Sequence, residues 1–280
     1  MENKPIFPSP LYIGLIIFLG FIFSLASAAL LSAVSIAIFP ALKTDLNGQR
    51  LLAKVIITLG EINLFLFVLF FLYRRLPNIV RLFRIHRVPL PPLLLMLPLG
   101  IALAIAGDAL DRLIQIIIPS SDITTQLASL LKATTSLELA MLILGSVIVA
   151  PVVEEWLFRG ALQQAFEHTI GVTKGVIYAS LLWAIIHGIM NWAIQIFILG
   201  VIIGYVAWRL NSTLPTIILH AINNFIAVLF YNWNLPLHLP GYEWHQQVNP
   251  VYSLLAIAVI FGSIRWLDSY YRSSNSAIEP

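Results

Sequence analysis

Uninterrupted apolar runs of eighteen or more residues recur along this chain, and no other feature narrows its fold so far. Each run is about the length of helix needed to cross a bilayer core, where every backbone polar group has to be satisfied within the segment. The first covers residues 11 to 38. Further runs lie near 52 to 73, 90 to 117, 137 to 166, 172 to 190, 193 to 208, 213 to 232 and 250 to 267, separated by Pro, Gly and charged breaks. Together they predict eight membrane-spanning helices, with seven the next count. The expected fold class is therefore all-α, a polytopic transmembrane helical bundle forming a single integral membrane domain over residues 1–280. The first run is too long for a signal peptide, and only Lys4 precedes it as a positive flank, which predicts a retained first span.

Charge placement orients such a chain. Only 10% of its 280 residues are charged, against about a quarter in soluble domains, so no soluble domain of useful size is left over. A net charge of +3 and a pI of about 9.2 would suit nucleic acid, but the arginines are grouped instead. Arg74, Arg75, Arg81, Arg84 and Arg87 follow the second run, and the positive-inside rule assigns that connection to the cytoplasm. With eight spans both termini are then cytoplasmic. Lys174 and Arg209 fall in inner loops, Arg265 and Arg272 in the inner tail, and Lys43, Arg50, Lys54 and Lys132 near outer ends. The expected setting is an integral multi-pass protein of a prokaryotic plasma membrane, with lipid and no nucleic acid as partner. Residues 76 to 88 interleave apolar and arginine positions, as a segment lying on the inner membrane surface would, or a loop.

Ionisable side chains within a membrane cost about 2.5 to 3.5 kcal/mol each on insertion scales, so each requires a partner and a reason. Here they gather. The fourth run contains Glu154-Glu155-Trp156-Leu157-Phe158-Arg159, where Glu155 and Arg159 stand at the favourable i,i+4 spacing of an intrahelical ion pair. On a regular α-helix Glu154 points about 100° away, without a partner on its own helix and available to take a proton from water. The fifth run adds one imidazole, His187, within an otherwise apolar helix. The seventh adds His220 and Asn224, four apart and so on one helical face. Glu154 and His187 lie sixteen and seventeen residues from the turn near residue 170, which predicts matching depth for the two.

No cysteine is present, and neither a G-x-S-x-G elbow nor an H-E-x-x-H helix occurs, so water is the expected nucleophile. Glu154 is the natural general base, with His187 orienting the water. His220 and Asn224 are placed to donate to the oxyanion formed when an amide carbonyl is attacked. Glu154, His187 and His220 equally match a two-histidine, one-carboxylate set for one divalent metal such as Zn, and a metal-independent site uses the same groups. Two other functions are compatible: a non-catalytic membrane scaffold or chaperone that keeps the polar groups as glue between helices, and a proton-coupled transporter with Glu61, Glu154 and His187 as its relay. A relay gives no account of Asn224 beside His220, which favours hydrolysis.

An E-E-x-x-x-R motif, an aromatic-x-x-x-H motif (Trp183 to His187) and an H-x-x-x-N motif on successive membrane helices resemble the CPBP family. It is also called the Abi, or CAAX protease and bacteriocin-processing, family, and includes the type II CAAX prenyl proteases. The resemblance covers about residues 137 to 232 and takes in Phe197-Ile198-Leu199-Gly200, Gly204 and Asn211-Ser212-Thr213-Leu214. It implies an endopeptidase acting within the membrane on a peptide or lipidated-protein substrate, of which a prenylated CAAX-type protein is one. Glu154, Glu155, Arg159, His187, His220 and Asn224 match the family's functional positions. Members have been described both as metalloproteases and as metal-independent glutamate proteases. Trp183 stands where phenylalanine is usual, and Pro215 follows Leu214 where many members have tryptophan.

Other features have plainer expected roles. Glu61 and Asn63 lie inside the second run, and an intramembrane carboxylate is a candidate for the site by default. Asp108 and Arg112 have helical-pair spacing near an outer end. Gly200 and Gly204 allow close helix approach. Trp208, Trp233, Tyr252 and Trp266 suit membrane interfaces. His238, Glu243 and His245 belong to an outer loop, expected to be solvated.

Overall fold

A computed structural model of the protein describes residues 7–76, 78–119, 122–188, 190–233 and 238–276. The chain is all-α and polytopic. Its helices are α1 (Pro10–Ile38), α2 (Leu46–Tyr73), the single turn α3 (Ile79–Leu82), α4 (Leu90–Ile117) and α5 (Asp122–Leu131). There follow α6 (Ser136–Ile170), α7 (Val172–Ile186), α8 (Met190–Leu210), α9 (Leu214–Trp233) and α10 (Pro250–Ser276). Seven of these are long and apolar enough to cross a membrane among the described residues, and α7 is a shorter apolar helix. The fifth run is thus a 15-residue helix of about 22 Å, less than a bilayer core. It stops early because Gly188 takes a left-handed φ of 67° and its N–H closes on the Ile185 carbonyl at 3.0 Å.

Helix starts follow capping chemistry. Ser9 accepts from the Tyr12 N–H at α1, Asp45 from Asn47 at α2, and Thr135 from Glu138 at α6, each satisfying an otherwise orphaned donor. Large apolar side chains such as Leu15, Phe18, Ile22, Leu94 and Leu254 stay exposed, as lipid-facing positions are.

Two compact units divide the chain. The first comprises residues 1–83 and 120–179. Here α1 lies against α2, with Gly20 beside Leu64, Phe67 and Val68, and the Ser24 hydroxyl donates to the Gly60 carbonyl at 2.8 Å. One face of α2 meets α6. Lys54 pairs with Glu138, Thr58 packs on Gly145, and the Phe65 ring lies tilted against Trp156 at 5.5 Å. Partners advance together along both helices, so α2 and α6 run parallel. The segment 76 to 88 is neither a surface helix nor a free loop throughout. Leu76, Leu82 and Phe83 are buried, and Phe83 joins Phe65 and Trp156 in one aromatic cluster.

The second unit comprises residues 84–119 and 180–280. Its core joins Met96, Leu99 and Leu103 of α4, Ile203 and Val206 of α8, Leu219 of α9 and Leu267 of α10. Arg84 turns the chain with a positive φ, and its carbonyl accepts from the Thr213 N–H at 3.0 Å, while the Ser212 hydroxyl donates to the His86 carbonyl. Between α9 and α10 a short antiparallel hairpin pairs β1 (Glu243–Trp244) with β2 (Gln247–Val248). Its two central residues, His245 and Gln246, both have φ above zero, as a tight hairpin turn requires.

Candidate active site

The acidic half of the candidate site depends on how α6 is wound. Two stretches, Ile143–Val149 and Glu155–Leu162, are π-helical, and the Ala150–Glu154 turn lies between them. At their ends the Ala150 N–H bonds the Gly145 carbonyl and the Gln163 N–H bonds the Phe158 carbonyl, five residues back in each case. Such wide turns are rare and collect at functional sites. The expected ion pair is present: Arg159 Nη1 donates to Glu155 Oε1 at 3.1 Å, with both side chains fully buried. The expectation that Glu154 has no partner on its own helix is corrected. Arg159 interacts electrostatically with Glu155 first and with Glu154 second. An i,i+4 count assumes 3.6 residues per turn and misses this.

Close packing fixes this stretch. A Cβ on Gly160 would stand 2.8 Å from the Phe83 Cα, so the residue after Arg159 is a glycine because backbone passes over it. Gln164 Nε2 holds the same crossing, donating to the carbonyls of Arg81 and Leu82 at 3.2 Å and to that of Gly160. Glu61 of α2 belongs to this unit as well. Its carboxyl interacts electrostatically with that of Glu154, and its Oε2 is shielded without a hydrogen-bond partner among the described residues.

His187, His220 and Asn224 belong to the second unit. His187 does not sit within a helix, as the apolar run suggested, but in the turn after α7, because Gly188 ends the helix there. Its Nδ1 lies 2.7 Å from the Trp183 carbonyl. A carbonyl only accepts, so Nδ1 carries a proton in this contact. Trp183 also meets both imidazoles edge to face, at 5.1 Å from His187 and 5.4 Å from His220. The sequence marks this side chain as the aromatic of the aromatic-x-x-x-H motif, but its contact with His220 as well as His187 is not legible there. His220, 3% exposed, and Asn224 occupy one face of α9, and the Asn223 amide donates to Asn224 Oδ1 at 3.4 Å. Gly200 of α8 lies against Ser180 and Trp183, the close approach its spacing suggested.

Elsewhere in the second unit, Asp108 and Arg112 pair at 3.1 Å as expected. The loop expected to be solvated is held by this pair. Arg112 also reaches Glu243 at 2.8 Å and the Gln246 carbonyl, and Tyr242 donates to Asp108 at 2.9 Å. Among the described residues no three His, Asp or Glu side chains stand together as a metal site.

Comparison with known proteins agrees with the motifs. Residues 136–226 match the family model described as Type II CAAX prenyl endopeptidase Rce1-like. No curated protein and no solved structure matches the chain. The matched segment holds Glu154, Glu155, Arg159, His187, His220 and Asn224, and in it the chain is similar to the Rce1-like CAAX prenyl endopeptidases.

Proposed function

We propose that the protein is an intramembrane endopeptidase in which Glu154 activates water to hydrolyse a peptide bond. The observation that carries this reading is the fully buried Glu155–Arg159 pair wound into a π-helical turn directly after Glu154, inside the segment that matches the protease family. A scaffold gains little from an ion pair whose removal from water costs several kcal/mol per charge, whereas a catalytic carboxylate gains a fixed neighbouring cation. The family match spans residues of both units, which is the reason for assigning Glu154 and the two histidines to one reaction.

In that reaction Glu154 takes a proton from water as the oxygen attacks the amide carbonyl carbon. His187, its ring held by the Nδ1 contact to the Trp183 carbonyl, shares with Glu154 the proton taken from the water. The carbonyl π electrons become an oxyanion that receives hydrogen bonds from His220 and Asn224, interactions worth about 3 to 4 kcal/mol per donor in a dry site. Collapse breaks the C–N bond, and Glu154 returns its proton to the departing amine. Glu155 holds Arg159 in place throughout. If a divalent ion such as Zn also takes part, Glu154, His187 and His220 are the donors of suitable type, and such an ion polarises the carbonyl or the water.

The substrate we infer is a peptide or lipidated protein presented at the membrane, with a prenylated CAAX-type C-terminus as the first candidate. The test is cleavage of quenched peptides, prenylated and unmodified, by purified protein in detergent. Glu154→Gln is expected to lower kcat by at least about 10³-fold, the scale on which loss of an acid–base group acts, and wild-type activity that survives this substitution would overturn the reading. Loss of activity on chelation, restored by added zinc, would assign a metal to the site; unaffected activity would assign the water to Glu154 alone.

A further inference from the structure

The α2 face that meets α6 carries one side chain whose chemistry packing does not explain. Along that face Lys54 pairs with Glu138, Thr58 packs on Gly145 and Phe65 meets Trp156. Glu61 lies between Thr58 and Phe65, three residues from one and four from the other, and so points the same way. α2 packs against the Ala150–Glu154 turn, and the Glu61 carboxyl interacts with that of Glu154. The Glu61 Oε2 atom is shielded and has no hydrogen-bond partner among the described residues. A carboxylate oxygen near the middle of a membrane span is costly without a partner, so some polar group completes it. Neighbouring side chains do not: Thr58 donates to the Lys54 carbonyl, and Lys54 is taken up by backbone carbonyls and Glu138.

We propose that Glu61 is a positioning residue for hydrolysis, accepting a hydrogen bond on Oε2 from the water that Glu154 deprotonates. This rests on the hydrolytic reading above. A water held between two carboxyl groups has one hydrogen directed at Glu61 and the other at Glu154, which leaves an oxygen lone pair for the substrate carbonyl. The proton moves to Glu154 and not to Glu61, which fixes the approach of the oxygen without changing its own bonds. A positional role of this kind acts on kcat more than on KM, because substrate contacts are untouched.

The experiment compares Glu61→Gln, Glu61→Met and Glu154→Gln in the peptide assay, with thermal unfolding in detergent as the measure of folding. The amide oxygen introduced by Glu61→Gln still accepts, so that variant is expected to keep kcat within about threefold of wild type. The thioether introduced by Glu61→Met matches the native side chain in length and accepts poorly, so kcat should fall about 10- to 100-fold at unchanged KM and with no loss of thermal stability. Wild-type kcat in Glu61→Met overturns the proposal. So does equal loss in both Glu61 variants, which would mark a structural or charge role instead. If wild type and Glu154→Gln cleave equally, the hydrolytic reading fails first and the role of Glu61 with it; a normal Glu154 dependence with an indifferent Glu61 refutes Glu61 alone.

Discussion

Buried charge is tolerated in this molecule only where several polar groups converge on it, and Lys54 is the clearest case. Its Nζ, 1% exposed as a residue, reaches the carbonyls of Leu130 at 2.9 Å, Lys132 at 3.1 Å and Arg50 at 3.3 Å, with the Glu138 carboxylate at 3.5 Å. Glu138 in turn accepts from the Thr134 N–H and hydroxyl. Removing one charge strands the other, so Glu138→Leu is expected to cost about 3 to 5 kcal/mol of stability. Adding Lys54→Met should restore part of that loss, because the stranded ammonium goes too; additive losses in the double variant would show that the pair is not the source. Sterics govern Gly160 instead. An added Cβ meets Phe83 backbone atoms at 2.8 to 3.0 Å, and the Gln164 bonds to Arg81 and Leu82 keep that backbone from yielding. Gly160→Ala should therefore lose about 1 to 3 kcal/mol, read as a lower unfolding temperature, and should reduce peptide cleavage by shifting Arg159.

At the level of elements, the hairpin of β1 and β2 shows what a long-range contact does to a loop. Arg112 bonds Asp108, Glu243 and the Gln246 carbonyl, while Tyr242 donates to the other Asp108 oxygen. Burial, and then the Asp108 carboxylate, push the Tyr242 phenol up from its usual value near 10. A group whose folded pKa is raised contributes stability that is fully present below the unfolded pKa and lost above it. The wild-type unfolding temperature should therefore fall more steeply beyond about pH 10 than that of Tyr242→Phe; parallel curves would show that the phenol is not linked to folding. The run patterns were enough to place α4 over residues 90 to 117 and to find every other long helix, because hydropathy reports length directly. They could not show the π-helical turns of α6, because hydropathy reports length and not winding. They placed His187 inside a helix because an apolar run does not record where a left-handed glycine ends it. Motif spacing was enough to find the Glu155–Arg159 pair, but the contacts of Trp183 with His220 and of Glu243 with Arg112 reach across sequence, which spacing does not encode.

For the whole molecule, sidedness is the property most open to direct test, and the structure alters the balance of evidence for it. Four basic residues counted against the inside rule, Lys43, Arg50, Lys54 and Lys132, yet Lys54 is buried in carbonyls and Arg50 donates to the Ser129 carbonyl. Charges consumed by internal bonds say little about side. Arg74 and Arg75 remain exposed, resting over the Phe70 and Tyr12 rings, as cations at a membrane surface do. We expect this end of α2 to face the cytoplasm. Because α7 is short, the chain either crosses with α7 and returns with α8, or crosses only with α8. The first path puts the end of α10 on the same side as Arg74, the second on the opposite side. The chain has no native cysteine, so single substitutions report cleanly. Val80→Cys, Trp244→Cys and Ser269→Cys all fall at exposed positions. With a membrane-impermeant maleimide on intact cells, the Trp244→Cys variant should react, and Val80→Cys and Ser269→Cys should react only after lysis. Reaction of Ser269→Cys in intact cells would mean that α7 does not enter and return as a hairpin with α8, and would put His187 and its turn at the cytoplasmic surface.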